Sequence, residues 1–141
     1  MSIYKQSFVQ YMDANGIKYT ECDDRTVKIV YGGDYLRSIS VYVFFDKEDK
    51  PLAEFKCGNF ASFNGFEDVG MDVCNSLNAQ YRWVKFYIDK NSDVIADADC
   101  ILDAASGGEE CMTMVRRIVN IVDESFFKFM QAIFEYKNKN N

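Results

Sequence analysis

The sequence predicts an α+β domain, an antiparallel sheet with helices covering a face, in the order α-ββββ-α-ββ-α. Three observations carry that reading. The apolar spacing passes from threes and fours to strict alternation and back, twice over. The breaks between alternating runs are hairpin-short, which makes neighbouring strands antiparallel. The 141 residues are 48% hydrophobic, with twelve Phe and nine Tyr, too apolar for disorder and enough for one core without metal or disulfide. Neither linker nor repeat interrupts them. A single domain is expected over residues 1–138, with a disordered polar tail at 139–141.

The first element is a helix over 3–14. Ile3, Tyr4, Phe8, Tyr11 and Met12 form its stripe, and Asn15-Gly16 stops it with glycine in the left-handed C′ place. The period then becomes two. "IKYTEC", "RTVKIVY", "RSISVYVFFD" and "PLAEFKC" read as four strands, with Pro51 opening the last, where its missing N–H is tolerable. A second helix is expected over 65–78. Asn64 would cap it, Glu67 would complete a capping box, and Phe66, Val69, Val73 and Leu77 would face inward. Strands at 82–89 and 93–101 follow as a hairpin around "KNSD". Ser106 to Glu109 repeats the S-x-x-E capping signature, and Met112, Val115, Val119, Val122, Phe126, Met130 and Ile133 carry a long last helix. The polar "DES" at Asp123 to Ser125 leaves a bend open there.

Between the second helix and the hairpin lies "NSLNAQYRWVKFYID", Asn75 to Asp89. Turning Val73 and Leu77 inward points Asn75 away from the core. Asn78 falls at the helix end, where asparagine readily takes the left-handed conformation, so it is expected to stop the helix.

Most chemistries lack their residues. There is no histidine, which removes Ser-His-Asp and Cys-His catalysis. The five cysteines form no C-x-x-C pair. They read as reduced, small hydrophobes in or beside periodic elements, with neither zinc nor a disulfide framework. "YGGDY" lacks the spacing of a phosphate loop and reads as a connection between strands. "DKNSDV" opens like a calcium loop, but Val94 and Cys100 stand where glycine and glutamate are needed, so it reads as a β-turn. Asp97 and Asp99 share a strand face about 7 Å apart. A metal-assisted enzyme built on them is a distant reading beside a solvated face. Glu109 and Glu110 suit the first turn of a helix without any catalysis. No enzyme, cofactor or metal is expected.

The net charge of −6 argues against nucleic acid and anionic membranes as partners. No segment approaches the roughly 18 apolar residues of a membrane span, and the N-terminus lacks the parts of a signal peptide. The expected location is the cytoplasm.

More informative is what the strands leave over. Ile39, Val41, Val43 and Phe45 take one face and leave Tyr42 and Phe44 on the other. Val84, Phe86 and Ile88 take one face and leave Trp83, Lys85 and Tyr87. A half-solvated antiparallel sheet is ordinarily polar outside. Aromatics in these rows suit a protein partner or a second subunit, with Tyr42, Phe44, Trp83 and Tyr87 as the contact residues. The alternative is that the long last helix covers them. "FASFNGF" carries Phe60, Phe63 and Phe66 and reads as a buried loop.

Asn75-x-x-Asn78, the strand ending "KFYID", "DVIADAD" and an acid-capped apolar helix with a late Asp-Glu resemble the YbjN family of bacterial sensory transduction regulators. The specific part runs from Asn75 to Asp103, while the preceding elements follow the family's order. In place of the family's usual glycine, the turn here reads "KNSD". The resemblance implies a fold similar to type III secretion chaperones and a non-enzymatic regulatory or protein-binding role. It also implies a homodimer and no known ligand. The leading expectation is thus a cytosolic protein-binding module. The alternative is a small-molecule sensor with a pocket between sheet and last helix, near Met112, Met114 and Met130.

Overall fold

The computed structural model describes residues 2–140. Helix α1 spans Ile3–Ala14 and begins at Ser2, whose hydroxyl accepts the Tyr4 and Lys5 N–H groups at 3.2 and 3.3 Å. It ends at Asn15, and Gly16 follows with φ +66°. Strands β1 (Thr20–Asp23), β2 (Thr26–Tyr31), β3 (Ile39–Phe45) and β4 (Leu52–Cys57) then run as hairpins. Helix α2 (Glu67–Gln80), β5 (Lys85–Ile88), β6 (Val94–Ile101) and α3 (Gly107–Lys139) complete the order expected from periodicity. All pairings in the six-stranded sheet, β1-β2-β3-β4-β6-β5, are antiparallel. Because α2 carries the chain past β4, β6 pairs with β4 and β5 becomes an edge.

The helices lie on one face. Val27, Ile29, Val41, Val43, Phe55, Phe86 and Ala96 are buried beneath them. Val115, Ile118, Val122 and Phe129 of α3 fill the space between, together with Met112 and Met114. Phe60 and Phe63 pack their rings on Phe129 at 5.7 and 6.2 Å, so the 60–66 segment is the buried loop its composition implies. Gly108 brings α3 against α1: a Cβ there would stand 2.7 Å from the Ser7 carbonyl oxygen. Lys5, buried on α1, pairs with Glu21 at 2.9 Å and donates to the Asp23 carbonyl at 3.0 Å, fastening α1 to the β1 edge. No described helix is long and apolar enough to cross a membrane.

Local details differ from expectation. Asn64 does not cap α2. Phe66 stands at that position without a side-chain cap, and Glu67 instead accepts from the Gly65 N–H and the Ser92 hydroxyl. The hairpin turn, with Ser92 at φ +67°, comes close enough to claim that carboxylate. At α3 the reciprocal partner of Ser106 is Glu110, one residue beyond Glu109. Its Oε1 accepts from the Ser106 hydroxyl at 2.9 Å and the Asp103 N–H at 3.1 Å. Helix α3 continues unbroken through Asp123, because that side chain bonds sideways to the β2–β3 loop rather than to its own helix. It also continues past the expected boundary at 138. Lys139 is helical and Asn140 caps the Tyr136 carbonyl, while Asn141 lies outside the described residues. All five cysteines are free. Cys57, Cys74 and Cys111 are core residues, whereas Cys22 is exposed on the edge strand β1, where no helix covers it.

Candidate functional site

The face of the sheet opposite the helices is uncovered. Its middle row runs Lys28, Tyr42, Lys56, Asp97, Lys85 across β2, β3, β4, β6 and β5. The neighbouring row holds Phe44, Glu54 and Asp99, and the last cross-strand pair is Leu52 with Ile101. Tyr42 and Phe44 stack with centroids 6.3 Å apart. The Lys28 ammonium lies 5.8 Å from the Tyr42 centroid. Lys56 donates to the Tyr87 hydroxyl at 3.0 Å, which links β4 to β5 across β6. Phe44 and Tyr87 are each 37% exposed and Ile101 is 77% exposed; at the Ile101 end α3 comes near, with Glu109, Thr113 and Arg117 bordering the same hollow. Tyr42, Phe44 and Tyr87 therefore share one surface.

Trp83 does not sit in the strand row. It precedes β5 with φ +73°, and the Val84 N–H donates to the Arg82 carbonyl at 2.8 Å. That is a tight turn in a strained, positive-φ conformation, unusual for a bulky residue. The turn throws the indole outward, 59% exposed, under the Arg117 guanidinium at 4.4 Å. Two open hollows nonetheless connect it to the sheet face. One, of about 840 Å³, is lined by Phe44, Leu52 and Glu54, and the other, of about 570 Å³, by Trp83, Glu109 and Arg117. They share Asp99, Cys100 and Ile101.

The two asparagines do different things. Asn75 is exposed. Asn78 is not a left-handed stop but a helical residue of α2, which continues to Gln80. Its amide grips one peptide unit of the edge strand: Oδ1 accepts the Phe86 N–H at 2.7 Å and Nδ2 donates to the Phe86 carbonyl at 3.0 Å. A side-chain amide thereby imitates an adjacent strand and closes that edge to further pairing. Lys85 answers by donating to the Asn78 and Tyr81 carbonyls at 2.8 and 3.0 Å, capping the helix end.

Asp97 is the perturbed acid of this face. Burial, then the carboxylates of Glu54 and Asp99, push it up to about 6, with Lys56 acting in the opposite sense, and its Oδ1 is buried without a hydrogen-bond partner. The folded value lies above the ordinary one of about 3.9, so the native state binds this proton more tightly, and stability falls as pH rises from about 4 to about 6. Asp97→Asn is expected to raise Tm at pH 7.5 and to leave it unchanged near pH 4. An equal gain at both pH values would contradict this assignment. Asp89, the first acid of the calcium-like run, is occupied by the turn itself, accepting the Asn91 and Asp93 N–H groups at 2.9 and 3.0 Å.

Sequence reasoning missed three features. Leu52 and Ile101 extend the sheet-face patch, and alternation within their strands already places them outward. Phe127 and Phe134, each 66% exposed, form a separate apolar stripe on α3, hidden in the sequence because the helix's apolar arc is wider than its buried side. Asp123 reads as a helix breaker and is a loop anchor.

The YbjN family model, described as "Putative bacterial sensory transduction regulator", matches residues 7–131. No curated protein matches the chain.

Proposed function

The chain belongs to the YbjN family, and on that premise we propose a non-enzymatic cytoplasmic regulator that binds a segment of another protein on the outer face of its sheet. One observation carries the reading. The face the helices leave bare presents Tyr42, Phe44, Tyr87, Leu52 and Ile101, where a solvated antiparallel sheet would be polar. The binding force is burial of these side chains, with Lys28, Lys56 and Asp97 fixing register. Strand addition at β5 is disfavoured because Asn78 occupies that edge. Five free thiols suit a reducing compartment.

Affinity capture of the tagged protein from its native cell extract tests the reading, alongside Tyr42→Ser and Phe44→Ser variants. Tyr42 is half-buried and stacks on Phe44, so each substitution should lower Tm by a few degrees while leaving the fold intact. A partner recovered by the parent and lost by the folded variants is the expected result. Retention by both variants would place binding elsewhere. Recovery of the tagged chain alone would contradict the reading, whereas co-recovery of an untagged copy would indicate self-association, to be checked by sedimentation.

A further inference from the structure

Resting on that reading, we propose that the segment bound is basic and amphipathic, and that it lies in one continuous groove from the β3–β4 hairpin to Trp83. The two hollows share Asp99, Cys100 and Ile101 in their linings, so a single ligand laid over the end of β6 can touch both. The floor is apolar, formed by Phe44, Leu52, Ile101 and the Trp83 indole, all exposed.

The lining is acidic. Six carboxylates border the groove against three cations, Arg25, Lys47 and Arg117. Arg117 is already engaged over the indole. Glu54 and Asp99 stand directly opposite each other across β4 and β6. Like charges in that register destabilise a sheet. Lys56, the cation closest to Glu54 at 3.9 Å, gives its short contact to the Tyr87 hydroxyl instead. A lysine or arginine of the ligand placed between Glu54 and Asp99 relieves that repulsion while its apolar neighbours cover Phe44, Leu52 and Ile101. Trp83 is held outward by a strained backbone at the far end, a conformation that costs stability and is typical of ligand contacts. A second copy of the chain is a poor occupant, since each carries a net charge of −6.

The chain has one tryptophan, so its fluorescence reports on this groove. The probes are three synthetic amphipathic peptides of about 16 residues, long enough to form a helix, built from Leu with Lys, Glu or Gln. The Leu/Lys peptide is expected to shift the Trp83 emission and to bind at least about tenfold tighter than Leu/Glu. Glu54→Gln with Asp99→Asn should weaken Leu/Lys binding about tenfold. Asp72→Asn with Glu135→Gln removes the same charge from the α2–α3 side and should leave binding unchanged. Equal loss in both double variants would reduce the effect to net charge and overturn the proposal. So would equal affinity for Leu/Glu, or no response to any peptide. If Leu/Gln binds best and Phe44→Ser alone abolishes it, the basic segment is excluded while the binding face stands.

Discussion

Asp123→Ala is expected to cost about 3 kcal/mol of stability, a fall in Tm of about 10 °C, without altering the outer sheet face. The carboxylate on α3 accepts three backbone N–H groups of the β2–β3 loop, from Asp34, Tyr35 and Leu36, each at 2.9 Å. Hydrogen bonds to a charged acceptor contribute about 1.5–3 kcal/mol each, but this loop is partly exposed and water replaces part of the loss. Gly33 explains why the loop can approach so closely, since a Cβ there would overlap the Asp123 Oδ1. Gly33→Ala alone should cost about 2 kcal/mol, because the three N–H groups hold the carboxylate in place. In an Asp123→Ala background the same change should cost less than about 0.5 kcal/mol, the clash having been removed. Strictly additive costs in this double-mutant cycle would sink the assignment. Burial pushes the Asp123 carboxyl up, but the N–H groups of Leu36, Tyr35 and Asp34 outweigh it and hold the pKa below the ordinary value. Its contribution is therefore full above the unfolded pKa of about 3.9 and is lost as pH falls through the lower folded value.

Asn78→Ala should cost about 2 kcal/mol, through the two hydrogen bonds to Phe86. The loss is larger than that of a surface asparagine because the freed N–H and carbonyl are partly buried beside α2. Urea unfolding measures the cost, and amide exchange at Phe86 locates it. Exchange at that amide should accelerate well beyond the general loss of stability. An exposed edge also invites chain-to-chain pairing, so light scattering should rise on prolonged incubation. Asn78→Asp should not rescue the protein: it keeps an acceptor for the Phe86 N–H but sets an oxygen against the Phe86 carbonyl. Unchanged Phe86 exchange in Asn78→Ala would contradict the strand-mimic role.

The fold was legible where one physical preference dominates. Alternation in "SISVYVFF" places Val41 and Val43 under the helices and Tyr42 and Phe44 outside, since a strand has two faces and one is buried. The same rule applied to Leu52 and Ile101 gives the rest of the patch. Capping was legible only as a tendency. Glu67 and Glu110 both act at helix starts, but which donor each takes depends on a turn brought near by tertiary structure. Asn78 and Asp123 were opaque for a related reason. Each bonds to backbone distant in sequence or across a connection, and a single chain carries no local signal for such a partner. Trp83 was assigned to the strand because "RWVKFYID" keeps its alternation through the residue where the backbone turns.

That the bare sheet face, and not the α3 stripe of Phe127 and Phe134, is the working surface is the central claim. Hydroxyl-radical footprinting of the chain, free and with its captured partner, tests it most directly. Protection of Tyr42, Phe44, Trp83 and Tyr87, with Phe127 and Phe134 oxidised as before, is the predicted result. Protection confined to Phe127 and Phe134 would contradict it.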